Sequence, residues 1–256
     1  ITLGLVPLPE SIATLLVLLP DESAVGAAVT RILRERMVPR CIELLDRVAL
    51  ELVRPAAGIA LPDGARAMLL IELDGEARTL ALDVERIGNA LLDEGALEVL
   101  VAEKAGERER LWSARRELSR TLRTKARQKL SEDIVVPRTR IADLLAHTRR
   151  LSETHGIVMP TYGHAGDGNL HVNFLWNDDS ERPAVDRAIE SLFVETIRLG
   201  GTLSGEHGIG LAKAPYLHLE QSEALIDVQR AIKRTLDPRG ILNPGKIFAP
   251  RGHTAC

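Results

Sequence analysis

The sequence predicts an α+β fold: a largely antiparallel sheet with helices packed on one face and ferredoxin-like elements. Three observations lead to it. Apolar runs of strand length alternate with amphipathic stretches of helical length along the 256 residues, and several strand pairs are joined by local turn signals rather than by long crossovers. The third is composition: 45% hydrophobic content suffices for one sizeable core or two modest ones.

The elements follow in order. Residues 13–19 (ATLLVLL) read as a strand, and 21–37 start acidic and carry helical apolar spacing. A second strand and helix are expected at 67–73 and 78–94, another strand at 97–103, and a charged helix at 107–121 that contains Trp112 and Arg115. A strand at 133–136 is stopped by Pro137, and a helix follows at 140–154. The second half predicts a strand near 157–162, a glycine-rich loop, the alternating strand 169–175 (NLHVNFL), a long helix at 181–199, a Gly-Gly loop and a helix near 217–235. No repeat of 20–50 residues and no low-complexity linker divides the chain.

Charge and cysteines narrow the class. The net charge is −3, with both signs mixed along the chain, so nucleic acid is not an expected partner. Cys41 and Cys256 form no zinc spacing and no disulfide framework, which suits a reducing compartment. No run reaches the roughly 18 apolar residues of a membrane span. The expected location is the cytoplasm, or the membrane periphery through an electron-acceptor complex. The chain opens Ile1-Thr2-Leu3-Gly4 without methionine and is expected to be a fragment lacking its N-terminal part.

Three segments carry chemistry. In Tyr162-Gly163-His164-Ala165-Gly166-Asp167-Gly168-Asn169-Leu170-His171-Val172-Asn173, three glycines permit a sharp turn near a ligand. His171 and Asn173 then share one strand face, and His164 can fold back toward His171. The alternative is a tight hairpin whose histidines satisfy nearby carbonyls. The glycine order reverses G-x-G-x-x-G and leads into a strand, which argues against a Rossmann site, and the remaining calcium-loop ligands are absent. In Gly200–Gly210, Glu206 and His207 are neighbours that point in different directions, so one can bind a metal while the other faces a substrate. Two histidines and a carboxylate form a set for a divalent ion with open positions; the alternative places Glu206 at a helix N-terminus. The third segment, Leu236–Phe248, brackets a short apolar stretch between Asp-Pro-Arg-Gly and Asn-Pro-Gly-Lys.

Together these segments resemble the C-terminal half of FAD-linked oxidases of the vanillyl-alcohol oxidase superfamily, in the glycolate oxidase, D-lactate dehydrogenase and D-2-hydroxyglutarate dehydrogenase branch. The resemblance runs through Gly163–Asn173, Ser204–Gly210 and Asp237–Phe248 in order, joined by Glu132–Pro137 and by Trp112-Ser113-Ala114-Arg115. It implies that residues 1–256 form the substrate-side cap domain, with an N-terminal FAD-binding domain of the same polypeptide as its partner. The implied reaction oxidises a small D-2-hydroxy acid to the 2-oxo acid with hydride transfer to FAD.

By the same resemblance His164, His171 and Glu206 are ligands of a divalent metal, zinc or manganese. His207 is the base that takes the hydroxyl proton, Arg115 clamps the substrate carboxylate, Asn173 helps hold substrate, and Asn243 approaches the flavin ring. A lysine that some relatives carry before the Asp-x-x-x-Pro strand has no counterpart in register, Lys129 being close. Other oxidase subunits or a second copy are further implied partners. Two other classes remain open on these residues: a metal-dependent hydrolase, and a non-catalytic subunit that kept the fold.

Overall fold

The computed structural model describes residues 1–56 and 60–248. Cys256 lies outside the described residues. The chain order is β1 (Ser11–Leu19), α1 (Ala24–Arg34), β2 (Cys41–Leu45), α2 (Arg47–Val53), β3 (Ala67–Gly75), α3 (Ala77–Asp93), β4 (Glu98–Ala102), α4 (Ala105–Lys125) and β5 (Gln128–Val135). It continues with α5 (Ile141–His155), β6 (Thr161–His164), β7 (Asn169–Trp176), α6 (Arg182–Arg198) and α7 (Glu223–Leu236).

The strands form one seven-stranded sheet in the order β4-β1-β3-β2-β6-β7-β5, with antiparallel pairs throughout. The first four strands and the helices α1 and α3 make a β-α-β-β-α-β unit, the ferredoxin-like element expected from sequence. The second half repeats the pattern as β5-α5-β6-β7-α6, and Thr202 bridges Val135 where a fourth strand would lie. The two units join edge to edge through β2 and β6.

Side chains alternate across this sheet. On the first face Leu15, Val17, Leu44, Leu69, Ile71, Leu170, Val172 and Phe174 are buried against residues of α1, α3, α5 and α6, such as Val29, Ile87, Leu144 and Phe193. This is the expected one-sided helix layer. The second face adds something the sequence did not announce. Over β4-β1-β3-β2, Leu16, Leu18, Leu45, Met68 and Leu70 pack under Leu50 and Val53 of α2 and Leu111, Leu118 and Leu122 of α4.

Helix α4 links β4 at one sheet edge to β5 at the other. Its 21 residues at 1.5 Å rise span about 31 Å, close to the about 29 Å of six inter-strand spacings. It therefore crosses the second face, and Trp112 fastens it by donating from Nε1 to Glu72 Oε1 on β3 at 2.8 Å.

Three boundaries differ from expectation. Strand β5 begins at Gln128 rather than 133, because its polar first half pairs with Phe174–Trp176. The strand expected near 157–162 becomes β6 at Thr161–His164, with Val158 held only by a bridge to Leu175. The helix near 217–235 divides into a 3-10 turn at Ala214–Leu219 and α7, which Ser222 caps by accepting from the Leu225 N–H. Strand β2 and helix α2 were not anticipated. No helix among the described residues is long and apolar enough to cross a membrane.

Candidate active site

The second face is polar beyond β2, and strand register decides which groups meet there. Glu43 of β2 is paired with His164 of β6, Tyr162 with His171 of β7, and His171 with Asp133 of β5. These five side chains therefore lie in one patch on the side crossed by α4. The loop Ala165–Gly168 closes the β6–β7 hairpin tightly. At Gly168, with φ +86°, a Cβ would sit 2.0 Å from the Val136 carbonyl oxygen, so no other residue fits there.

His164, His171 and Glu206 each present a ligand atom within 4.8 Å of the others. The His164 and His171 ring centroids are 5.7 Å apart and nearly perpendicular at 83°, and His207 stacks on His171 at 5.6 Å and 15°. His164 Nδ1 is hydrogen-bonded to Glu43 Oε1. Glu43 Oε2 accepts from Arg115 Nε at 2.8 Å, and the Arg115 guanidinium carbon lies 4.6 Å from the Tyr162 ring centroid. Arg115 shares a helix face with Trp112, three residues before it. Its side chain is 15% exposed, whereas that of Arg116 is 49% exposed and pairs with Glu109.

Glu206 and His207 stand on a turn that Asp133 organises. The fully buried Asp133 Oδ2 accepts from the backbone N–H groups of Gly205 (3.0 Å), Glu206 (3.0 Å) and His207 (2.9 Å) and from Ser204 Oγ (3.1 Å). Lys213, also buried, donates to the carbonyls of Asp133 and Leu203 and lies 3.7 Å from Glu132. A Cβ on Gly205 would meet the Asn169 side chain at 2.6 Å, so a larger residue there would have to displace Asn169. His207 Nδ1 is 4.0 Å from Asp133 Oδ2, and its Nε2 is 3.9 Å from Glu206 Oε1.

The electrostatics divide the groups. Burial pushes the Glu43 carboxyl up, but His164 and Arg115 together outweigh it and hold Glu43 below its ordinary value. Burial acts the same way on Asp133, where the His207 and Glu206 N–H groups, Lys213 and Ser204 win. The bond to Glu43 raises His164. Burial lowers His171 against the pull of Asp133, which favours the neutral imidazole that ligates metals. Beneath the turn, burial lowers Lys213 and raises Glu132 to about 7 despite the lysine beside it.

Of the residues singled out in the sequence, the structure brings His164, His171, Glu206, His207 and Arg115 together. Asn173 is placed otherwise. It is fully buried, its Nδ2 donates to the Pro160 and His171 carbonyls, and its Oδ1 has no partner among the described residues. Asn243 is exposed in the C-terminal turn with φ +46°, a conformation asparagine tolerates. Lys129 lies on β5, paired with Leu175 and away from the turn.

Sequence reading missed Glu43, Lys213 and the bracing role of Asp133. The available signal for Glu43 was a single charge inside the apolar strand Cys41-Ile42-Glu43-Leu44-Leu45.

The donor set fits a divalent ion of zinc type: two imidazoles and one carboxylate converge, and the second nitrogen of His164 is tied to a buried carboxylate. FAD fits this chain less directly. Among the described residues no glycine-rich turn leads from a strand into a helix in the way that cradles a pyrophosphate.

Residues 8–247 match the family model described as FAD linked oxidases, C-terminal domain. Glycolate oxidase subunit GlcD of Bacillus subtilis (strain 168) is 39% identical over 249 residues, covering 96% of this chain and 53% of that protein. D-lactate dehydrogenase of Anaerostipes hadrus is 29% identical over 257 residues, covering 96% of this chain and 54% of that protein. The chain thus spans about half the length of these relatives. Among solved structures, p-cresol methylhydroxylase with substrate bound superposes with a TM-score of 0.73 at 13% identity, over 96% of this chain and 54% of that one. The 4-ethylphenol oxidase of Gulosibacter chungangensis does so with 0.71 at 19%, over 97% and 56%. At such identities the likeness is one of fold.

Proposed function

This chain belongs to the family of FAD linked oxidase C-terminal domains, and we propose that it is the substrate-side part of a flavin-dependent dehydrogenase or oxidase acting on a D-2-hydroxy acid. The observation that carries the reading is the single polar patch in which His164, His171 and Glu206 converge, His207 stacks beside them, and Arg115 is joined to His164 through Glu43. A 2-hydroxy acid carries its hydroxyl and carboxylate on adjacent carbons, so the groups that read them must also be adjacent. A guanidinium beside the same three donors would also serve a hydrolase, and it is the match to FAD linked oxidase C-terminal domains that favours the redox reading.

His164, His171 and Glu206 would hold a divalent ion, whose chemistry is to polarise the substrate hydroxyl and lower its pKa. Arg115 binds the carboxylate through the Nη edge that Glu43 leaves free, in a two-bond fork that orients C2. His207 takes the hydroxyl proton at Nε2, the nitrogen on the Glu206 side, while Nδ1 faces Asp133. FAD, held by the rest of the full-length polypeptide, supplies the electron acceptor. Asn243, exposed in the C-terminal turn, is the residue of this chain offered to the flavin ring.

The test uses the full-length flavoprotein with glycolate, D-lactate and D-2-hydroxyglutarate, following anaerobic bleaching of the flavin. One of these acids should reduce it, and His207→Ala should slow turnover by about 10²–10⁴-fold while zinc content is retained. Flavin that no 2-hydroxy acid reduces would refute the substrate class. A His207→Ala protein that loses zinc but keeps its activity per metal would exchange the roles of His207 and one ligand.

A further inference from the structure

We propose that Glu43 is the positioning residue that couples metal binding to carboxylate recognition, setting with one buried side chain the spacing that selects 2-hydroxy acids. The inference rests on the reading of His164 as a metal ligand and Arg115 as the carboxylate clamp. Glu43 sits on the strand that joins the two sheet halves, is 4% exposed, and uses its two oxygens in different directions. Oε1 holds His164 Nδ1, and Oε2 holds Arg115 Nε.

A carboxylate at this depth is costly to leave without partners. His164 and Arg115 supply them, and Glu43 in turn dictates where the two side chains stand. The bond at Nδ1 fixes the tautomer and plane of the His164 ring and leaves Nε2 for a metal. The bond at Nε, with the guanidinium over the Tyr162 ring, leaves the Nη edge unused by Glu43.

Because both bonds end on one carboxylate, that group sets where metal and clamp stand relative to each other. A 2-hydroxy acid, with hydroxyl and carboxylate on adjacent carbons, suits ends held by one group better than a 3-hydroxy acid, which places them one carbon further apart. The shared group also couples the two ends energetically, since bonds in one low-dielectric network polarise each other.

The experiment measures Zn²⁺ dissociation constants of the full-length protein by competition with a chromophoric chelator. It compares the parent with His164→Ala, Glu43→Gln, Arg115→Ala and the Glu43→Gln/Arg115→Ala double variant. Glu43→Gln should weaken zinc binding about 10–100-fold, as loss of a partner behind a ligand does. The effect of Arg115→Ala on zinc should differ by at least about threefold between the two Glu43 backgrounds. With zinc saturating, Glu43→Gln should raise KM for the 2-hydroxy acid while kcat holds.

Glu43→Asp keeps the charge but is one methylene too short for both partners; it should restore at most one of the two properties, and it carries the same cycle if Glu43→Gln does not fold. Zinc affinity that depends on His164 yet stays within about twofold in both Glu43 variants, or strictly additive effects of Glu43→Gln and Arg115→Ala, would overturn the coupling alone. A parent protein that binds no zinc, or binds it independently of His164, would overturn the metal-site reading and this inference with it.

Discussion

The second face of the sheet is built in two contrasting halves. Over β4-β1-β3-β2 it is apolar and roofed by α2 and α4, with Leu16, Leu18, Met68 and Leu70 fully buried. Over β6-β7-β5 the same face carries His164, His171 and Asp133, and the turn above it leaves the side chains of Glu206 and His207 53% and 54% exposed. Both halves are cut from one continuous antiparallel ladder, so backbone hydrogen bonding cannot be what distinguishes them. The first half is held by dispersion and the removal of apolar area from water. The second is held by buried carboxylates that gather donors, four on Oδ2 of Asp133 and two on Glu43. Stability and chemistry thus occupy neighbouring halves of one surface, and substitutions can separate them.

The largest effect is expected at Asp133. Asp133→Ala removes the acceptor of three N–H groups and one hydroxyl and one of the two carboxylates beside Lys213. A loss of about 3–5 kcal/mol should appear in urea unfolding, together with loss of zinc binding because the Glu206 turn no longer forms. Retention of zinc affinity would show that the turn holds its shape without the carboxylate.

Next comes Leu18→Ala in the roofed half. The fully buried side chain should cost about 2–5 kcal/mol on truncation, yet zinc affinity should stay within about twofold because no partner is shared with the site. A large change in zinc affinity would mean that the halves are mechanically coupled and the contrast too sharp.

A third effect concerns pH and sharpens the comparison between two buried carboxylates. Asp133 has four donors and a lysine, and they hold it low against burial. Asp46, which caps α2 by accepting from Ala49 N at 2.7 Å and also accepts from Thr161 N at 2.8 Å, has two donors and Glu22 nearby. Burial wins there and raises it to about 8.

The native state therefore keeps a proton on Asp46 that the unfolded chain releases near 3.8. Stability contributed by this group is full below that value and falls as pH rises toward about 8. Asp46→Asn should flatten this decline in a series of unfolding midpoints; an unchanged slope would assign it to other groups, such as Glu132.

Much of this was legible in the sequence, and the parts that were not share a cause. The alternation in Asn169–Trp176 marks a strand with one polar face, and the glycines around His164 and His207 mark backbone that must turn sharply. The fold class and the residues His164, His171, Glu206, His207 and Arg115 follow from such local patterns together with the resemblance. Strand β2 escaped because Cys41-Ile42-Glu43-Leu44-Leu45 is short and buried on both faces, so it shows no alternation. The burial of Asn173 was not legible, because alternation gives the face of a side chain and not what covers it.

The sequence by itself determined most of the strands and helices, β2 and α2 excepted, and which side chains face the same way, since those properties depend on neighbours a few residues apart. Only the tertiary structure decided that Glu43 stands between His164 and Arg115, which lie 121 and 72 residues away along the chain. It alone decided that Asp133 gathers the N–H groups of a turn more than seventy residues later. Those meetings follow from the order β2-β6-β7-β5 and from a helix long enough to cross the sheet, and no local periodicity encodes which strands become neighbours.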